Sequence, residues 1–353
     1  MKNNQISNIS SLTGMSSITF LDLNENQISD ISDVSGLTTL TDLRVSNNQI
    51  SNISAVSGLT NLKYLYMSHN QLTDISDVSA LTNLKSLGFR NNQVSNISAL
   101  SGLTELNTVN LQYNQISDIS SLAGKTKLRA MYLNDNQISS IETSTFTGLT
   151  GLHYLYLNSN LLSSIETGAF SGAANLEYLF LEKNAGLGAL NLEGAVFSLL
   201  SRFNIRETGI TSVSLKNAVL KQSVLEALSD GGYSTYFIGI GELGGITELD
   251  MSGVDFASIT DLAPLHAMDD VEELLLAGAS NLDGGQVLTL TAELDSLNWL
   301  DVTGPWDTFD AGTQDSLNSW DSIEGNTLVT PEPATMSLLA LGGLAVLRRR
   351  RKQ

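Results

Sequence analysis

The stretch L-D-L-N-E-N-Q-I-S-D-I at residues 21–31 decides the fold, because its spacing of apolar residues and asparagine returns every 22 residues. Residues 43–53 read L-R-V-S-N-N-Q-I-S-N-I, and residues 65–75 read L-Y-M-S-H-N-Q-L-T-D-I. Beyond Asn136 the spacing lengthens to 24 residues, and Thr208 takes the asparagine position of a ninth copy. A unit this short cannot bury its own apolar side. The pattern therefore predicts copies that stack on one another into a solenoid.

One asparagine in each copy stands three residues after the second apolar residue of the L-x-L strand. Where the chain leaves a strand, inward-facing backbone groups need a new partner, since leaving them buried and unpaired is costly. A carboxamide both donates and accepts hydrogen bonds, so a column of asparagines can bridge successive turns. The predicted structural ladder consists of Asn26, Asn48, Asn70, Asn92, Asn114, Asn136, Asn160 and Asn184.

Lys125 interrupts an apolar column on the return path, where Leu59, Leu81 and Leu103 stand in earlier copies. A buried ammonium without a partner is costly. We therefore expect the chain to turn outward locally at this residue.

The sequence N-Q-I-S-D-I-S at 26–32 and 114–120 resembles the bacterial internalin-type leucine-rich repeat. The 24-residue copies, with F-T-G-L-T-G-L at 146–152, are similar to the longer common class of these repeats. The resemblance covers residues 1–213. It implies an α/β repeat fold, a leucine-rich-repeat solenoid with parallel concave strands and convex turns or short helices. It also implies a protein-binding scaffold without catalytic residues.

The period loosens beyond residue 213. Leu249 with Met251, and Leu300 with Val302, resemble degenerate copies, and residues 218–228 have apolar residues at helical spacing. We therefore expect regular repeats at 1–213, with a truncated first copy, and degenerate repeats of the same solenoid at 214–305. Residues 306–330 contain two Trp-Asp pairs and are expected to form a cap or linker that shields the last repeat.

The amino end fits the repeat template in register, with Asn4, Ile6 and Ile9 at their expected positions. Met1 then falls where the second apolar residue of a strand belongs. An uncapped solenoid end exposes core side chains, so we expect an export signal and a cap in sequence upstream of Met1.

The carboxyl end reads V-T-P-E-P-A-T-M-S-L-L-A-L-G-G-L-A-V-L-R-R-R-R-K-Q. As a helix, its apolar run spans roughly 21 Å, short of a hydrocarbon core of about 30 Å. Local bilayer thinning can close that gap, and the basic block is expected to stay cytoplasmic. The order of motif, apolar run and arginines at 331–353 resembles the PEP-CTERM sorting signal, and a plain membrane anchor is the alternative. The residues that carry the resemblance are Pro331, Glu332, Pro333, Arg348, Arg349, Arg350 and Arg351.

The PEP-CTERM resemblance implies an exosortase-like processing enzyme and transient anchoring of the C-terminal helix in the inner membrane. The expected location is the cell surface, outer envelope or extracellular matrix.

The formal net charge is −19, and the part of the chain before the basic tail is more acidic still. That charge argues against a nucleic-acid partner, whose phosphates require lysine and arginine. The chain has no cysteine, which excludes disulfides and thiolate metal sites.

Motifs for catalysis and cofactors are weak. Residues 239–244 match G-x-G-x-x-G but run into an apparent strand, whereas a dinucleotide site needs a helix there. The three histidines, His69, His153 and His266, lie far apart in the sequence. We predict no enzyme activity and no cofactor. Aspartates that follow the ladder, such as Asp30, Asp74 and Asp118, either cap turns or collect calcium, and we favour capping.

Aromatic residues recur at the outward positions of the concave strands. Tyrosine offers a large, rigid and amphipathic contact area, which enriches it in binding hot spots. The alternative is that the rings only pack between neighbouring strands and stabilise the sheet. We name the five clustered side chains the aromatic patch and add two tyrosines from an earlier repeat. The predicted binding residues are Tyr132, Tyr154, Tyr156, Tyr178 and Phe180 of the patch, with Tyr64 and Tyr66.

Two functions follow from these features. The first is an adhesin-like module that binds a protein through its concave face. The second is a structural component of an exopolysaccharide matrix, with the same tyrosines stacked on sugar rings. Neither requires a metal.

Overall fold

The computed structural model describes residues 2–219 and 247–330, except 197, 206, 255, 260, 261, 263, 264, 266–269, 295 and 322–325. The described residues form a solenoid in which each repeat adds one short strand to a parallel sheet. The repeat fold predicted from the sequence is confirmed.

The first sheet has nine parallel strands, and neighbouring strands pair in register one repeat apart, as Leu21 pairs with Leu43. Each strand has three residues, in which the first leucine of L-x-L faces inward between two outward positions, as Leu21 does between Phe20 and Asp22. We call the outward side of this sheet the strand face. Strands are numbered in chain order, and the missing numbers belong to strands on another face, described below. The strands of the first sheet are β1 Phe20–Asp22, β2 Asp42–Arg44, β3 Tyr64–Tyr66, β4 Ser86–Gly88, β5 Thr108–Asn110, β6 Ala130–Tyr132, β8 Tyr154–Tyr156, β10 Tyr178–Phe180 and β12 Arg202–Asn204.

The core is a continuous column of leucine, isoleucine and valine side chains that runs through all described repeats. The asparagine column lies beside it. Asn114 shows the pattern: its Oδ1 accepts the backbone N–H of Val94 at 3.0 Å, and its Nδ2 donates to the carbonyls of Phe89 and Leu111, both at 3.0 Å. Each of these asparagines thus joins its own turn to the turn before it. Thr208 takes the same position in the next copy and donates its hydroxyl to the carbonyl of Ile205, three residues earlier.

Lys125 contradicts the expected outward turn. Its side chain is buried, with 2% of the residue exposed, and its Nζ donates to the carbonyl oxygen of Ser101 at 3.0 Å. The prediction was wrong because the long side chain reaches a carbonyl of the preceding turn, which replaces part of its hydration. Burial lowers the pKa of the Lys125 ammonium below its ordinary value.

The side opposite the first sheet is made of short 3₁₀ turns. Aspartate caps several of them: the Oδ1 atoms of Asp74 and Asp118 accept the backbone N–H groups of Ser76 and Ser120, both at 2.8 Å. Among the described residues, no group of three acidic or histidine side chains is arranged to hold a metal ion. The 3₁₀ turns are Ser10–Leu12, Ser32–Val34, Ser54–Val56, Ser76–Ala80, Ser98–Leu100, Ser120–Leu122, Phe256–Ser258 and Pro305–Thr308.

A second set of strands begins in the 24-residue repeats on another face of the solenoid. It starts at the position of the second isoleucine: Val213 follows Thr208 by five residues, as Ile31 follows Asn26. Leu249 pairs with Val213, so the degenerate copies extend this face and not the strand face. Strands β7 Ser140–Ile141 and β9 Ser164–Ile165 pair with each other, and six more form one parallel sheet: β11 Ala189–Asn191, β13 Ser212–Ser214, β14 Glu248–Asp250, β15 Glu273–Leu275, β16 Trp299–Asp301 and β17 Thr327–Val329.

Two α-helices, α1 Gly284–Glu293 and α2 Ala311–Asp321, pack near the last strands. Trp306 and Trp320 are partly buried against the core. Strand β17 adds a further parallel strand, which the sequence patterns did not predict. No described helix is long and apolar enough to cross a membrane. The predicted helix at 218–228, the glycine motif at 239–244 and the tail at 331–353 lie wholly or largely outside the described residues.

Candidate functional site

The aromatic patch occupies three adjacent strands of the strand face. Tyr132 of β6 is paired with Tyr156 of β8, which is paired with Phe180 of β10. Tyr154 and Tyr178 form a second pair two residues earlier on β8 and β10. The period of the sequence places these five side chains on one surface, because register fixes which residues are neighbours.

The rings of Tyr132, Tyr156 and Phe180 stack in one row. The centroids of Tyr132 and Tyr156 lie 5.0 Å apart with planes 26° apart, and those of Tyr156 and Phe180 lie 4.8 Å apart with planes 16° apart. These distances match the separation of about 4.7–4.9 Å between neighbouring strands. The rings therefore stack along the solenoid axis, and the inner ring faces are covered by neighbouring rings. Tyr132 and Tyr156 each add a hydroxyl group to the row.

The second pair packs differently. Tyr154 and Tyr178 meet edge to face, with centroids 4.9 Å apart, and the Arg202 guanidinium lies 4.6 Å from the Tyr178 centroid. This arginine, which the sequence patterns did not single out, extends the patch onto β12 by a cation–π contact. The nearby Glu177 carboxylate raises the pKa of the Tyr154 phenol, because its negative charge opposes a phenolate there.

All five patch side chains are half-buried. Burial raises the pKa of the Tyr156 phenol, which therefore stays protonated and able to donate a hydrogen bond at neutral pH. Packing between strands accounts for part of the burial, as the alternative interpretation expected. Part of each side chain nevertheless stays accessible to a partner.

Tyr64 and Tyr66 lie apart from the patch. The Tyr66 hydroxyl lies 3.1 Å from Oγ of Ser86, to which it donates. The Arg44 guanidinium lies 5.2 Å from the ring centroid of Phe20 and 5.5 Å from that of Tyr66. Two hydrogen bonds to Asp42, at 2.8 and 3.0 Å, hold this guanidinium. The structure thus separates the seven predicted aromatic side chains into two groups.

Three buried polar atoms near the patch have no hydrogen-bond partner among the described residues: Oδ1 of Asn110, whose residue is paired with Tyr132, Oδ1 of Asn134 and Oε2 of Glu182. Asn134 and Glu182 each stand two positions beyond a patch ring, just past the end of its strand. Burial raises the pKa of the Glu182 carboxyl to about 7. No motif marks either residue, because a burial cost of this kind depends on how neighbouring repeats pack.

Comparison with known families gives matches at both ends of the chain. A leucine rich repeat model matches residues 126–185, and a model of two leucine rich repeats matches residues 38–80 and 82–124. The PEP-CTERM protein-sorting motif matches residues 329–352. The chain belongs to the bacterial leucine-rich repeat proteins and carries a carboxyl-terminal PEP-CTERM motif.

Solved structures show the same fold. An internalin from Listeria monocytogenes is similar, with 24% identity, coverage of 93% of this chain and 84% of that one, and a TM-score of 0.52. A leucine-rich repeat protein from Leptospira interrogans is 18% identical over 85% of this chain and 82% of that one, with a TM-score of 0.50. No curated protein matches the sequence. This likeness shows the solenoid fold, and the match to the PEP-CTERM motif supports an exosortase-sorted leucine-rich repeat protein.

Proposed function

We propose that this protein binds a macromolecular partner, in the first place a protein, through its strand face. The observation that carries the proposal is the stacked row of Tyr132, Tyr156 and Phe180 beside the pair Tyr154 and Tyr178. These rings are held rigid by one another, so a partner that docks on them gains contact area at little cost in side-chain entropy. The tyrosine hydroxyls of the row can donate hydrogen bonds, which would orient a bound partner.

The ring geometry favours a protein over the glycan-binding alternative. A sugar ring that stacks on a tyrosine needs an open aromatic face, whereas the inner faces of the row contact neighbouring rings 4.8–5.0 Å away. Edges and hydroxyls suit the side chains and backbone of a polypeptide. A structural role in an exopolysaccharide matrix remains the second candidate, since the PEP-CTERM motif directs the protein to the same envelope.

In this proposal the protein is exported to the cell surface or matrix. It has no enzyme activity, no nucleic-acid partner and no cofactor. In this proposal an exosortase-type enzyme processes the tail after the C-terminal helix has anchored the chain transiently in the inner membrane. The seven predicted aromatic side chains then face a partner on the outside. In this proposal the regular repeats carry the binding face, and the degenerate repeats and the cap close the carboxyl-terminal end of the solenoid.

The test compares two matched variants against partners from a surface-protein capture and a glycan array. Tyr156 lies at the centre of the patch, so Tyr156→Ala should weaken binding by about 2 kcal/mol or more, as hot-spot substitutions do. Ser120→Ala on the opposite, turn side should change affinity by less than about 0.5 kcal/mol. Equal affinities of the two variants would show that the patch is inter-strand packing only. Selective binding to a glycan would transfer the proposal to the second candidate.

A further inference from the structure

Charge is segregated between the two sides of the regular repeats. The residue immediately before each strand forms a column held in register by backbone hydrogen bonds. The N–H of Lys85 donates to the carbonyl of Lys63, and the N–H of Arg129 donates to that of Asn107. Lys63, Lys85 and Arg129 are all exposed in this column. We call these three residues the basic margin of the strand face.

Five consecutive repeats carry no acid along the strand face, and three of them carry lysine or arginine there. Residues 63–68, 85–90, 107–112, 129–134 and 153–158 contain four lysines and arginines and no aspartate or glutamate, in a chain with 37 acidic and 18 basic residues. Asp74 and Asp118 of these repeats stand on the turn side. Glu105 instead lies two residues before the margin column, where its ion pair with Lys127 and, to a lesser extent, the charge of Lys85 lower the pKa of its carboxyl. Within the described residues, none of the three basic-margin side chains has an ion pair.

The basic margin ends at Arg129, before β6, whereas the aromatic patch extends from β6 to β10. The residue before β10 is Glu177, whose carboxylate lies 3.9 Å from Nε2 of His153. The half-buried Glu182 lies two residues beyond the other end of β10. From β3 to β10 the face therefore changes from cationic to aromatic with acidic flanks. An unpaired cationic face on an otherwise acidic protein attracts anionic partners and repels cationic ones.

We propose that the partner presents an acidic polypeptide segment that lies along the solenoid axis, with its carboxylates on the basic margin and an adjoining apolar portion on the aromatic patch. This inference rests on the proposed protein-binding function and names the chemistry of the partner. The five strand spacings from β3 to β10 cover about 24 Å, which about eight extended residues span. Carboxylates over Lys63 and Lys85 would sit about 5 Å apart, within reach of neighbouring acidic residues.

An acidic polysaccharide has the same charge but meets the patch less well, because the row offers ring edges rather than open faces. A polypeptide can combine carboxylates with apolar side chains along one chain. The two portions of the face, cationic and aromatic, require that combination.

The experiment measures binding of fluorescent peptides of about eight residues, with one half rich in glutamate and the other in phenylalanine and leucine, in both orders. A glutamine-for-glutamate peptide of equal length and an alginate oligosaccharide are the comparison ligands. The test variant carries Lys63→Gln, Lys85→Gln and Arg129→Gln. The control carries Lys127→Gln, Lys183→Gln and Lys216→Gln, which remove the same charge from exposed positions off the basic margin.

We expect the glutamate peptide to bind more tightly than its glutamine counterpart and alginate. The basic-margin variant should lose at least about fivefold in affinity and the control less than about twofold, as exposed ion pairs allow. Salt should weaken the wild-type complex and leave the basic-margin variant less affected. Equal binding of the two peptides, tighter binding of alginate, binding of none, or equal loss in both triple variants would overturn the inference. If Tyr156→Ala weakens the complex and the basic-margin variant does not, the proposed function stands and the acidic segment is wrong; if neither weakens it, both fail.

Discussion

A Cβ atom placed on Gly88 would lie 2.8 Å from Cδ1 of Tyr66, so the ring of Tyr66 occupies the space that a side chain at residue 88 would take. Gly88 stands at an outward position of β4, where other strands carry tyrosine, arginine or asparagine. The missing side chain lets the Tyr66 ring lean across β4, and its hydroxyl then reaches Oγ of Ser86. The glycine therefore shapes the strand face without contacting a partner itself.

Gly88→Ala should destabilise the protein by about 1–3 kcal/mol, the usual cost of forcing an extra methyl group into occupied space. Urea unfolding measures the change. Gly58→Ala is the matched control, because a Cβ there meets nothing within 4 Å and its backbone is not left-handed. That control should be neutral or slightly stabilising. If Gly88→Ala costs as much in a Tyr66→Ala background as in the wild type, contact with the ring is not the cause.

The sequence predicted most of the first sheet, because period, apolar spacing and ladder asparagine agree in every copy from Asn26 to Asn184. It did not predict that Leu249 pairs with Val213 on another face. An L-x-L triplet has the same sequence pattern on either face of the solenoid. Only the number of residues since the last ladder position shows to which face a triplet belongs. That count becomes unreliable where Thr208 replaces asparagine and the repeats lengthen.

For the candidate site, the columns were predictable and the contacts were not. Register alone places Tyr132, Tyr156 and Phe180 side by side. The cation–π contact of Arg202 and the burial of Glu182 depend on how each side chain leans between repeats, which no spacing encodes. Lys125 shows the opposite error, since its residue type argued for exposure and a carbonyl of the preceding turn made burial tolerable.

The second prediction concerns the asparagine column. Asn114→Ala should cost about 1–3 kcal/mol, because the N–H of Val94 and the carbonyls of Phe89 and Leu111 lose a partner inside the solenoid. The neighbouring exposed amide Gln115→Ala should change stability by less than about 0.5 kcal/mol. Thermal and urea unfolding of both variants give the comparison. A loss below about 0.5 kcal/mol for Asn114→Ala would refute a bridging role for the column.

The third prediction concerns Lys125. Replacing this buried ammonium by the similarly long apolar side chain in Lys125→Met should stabilise the protein by about 1 kcal/mol or more at pH 7, as removal of buried charge often does. The exposed Lys127→Met, which breaks the ion pair with Glu105, should be neutral or slightly destabilising. Because burial lowers the Lys125 pKa, the unfolded chain holds the extra proton between the folded pKa and the ordinary value. Wild-type stability should therefore rise with pH in that range, and the advantage of Lys125→Met over the wild type should shrink as pH approaches 10.

The fourth prediction concerns Glu182, whose pKa burial raises to about 7. In the folded protein the carboxyl keeps its proton above pH 4.5, where the unfolded chain has already released it. The contribution of Glu182 to the free energy of unfolding is thus fully present below about pH 4.5. It is lost as the pH rises towards 7. Glu182→Gln should remove this loss, so urea midpoints of the variant should exceed those of the wild type at pH 8 by more than at pH 5. Glu272→Gln, at an exposed position, is the control. An identical pH dependence in the wild type and Glu182→Gln would contradict the assignment.

The last prediction separates a sorting signal from a plain membrane anchor. The PEP-CTERM match covers residues 329–352, which combine a short motif, an apolar run and a basic block. A plain anchor depends only on the apolar run and the arginines, since hydrocarbon burial and the positive-inside preference act without the motif. Replacing Pro331, Glu332 and Pro333 by alanine leaves both intact. In a host that encodes an exosortase, we expect this variant to stay unprocessed in the inner-membrane fraction while the wild type gains a lower mass and leaves that fraction. Deletion of residues 331–353 should instead release the repeats freely. Unchanged mass and fractionation of the alanine variant relative to the wild type would assign the tail as an anchor alone.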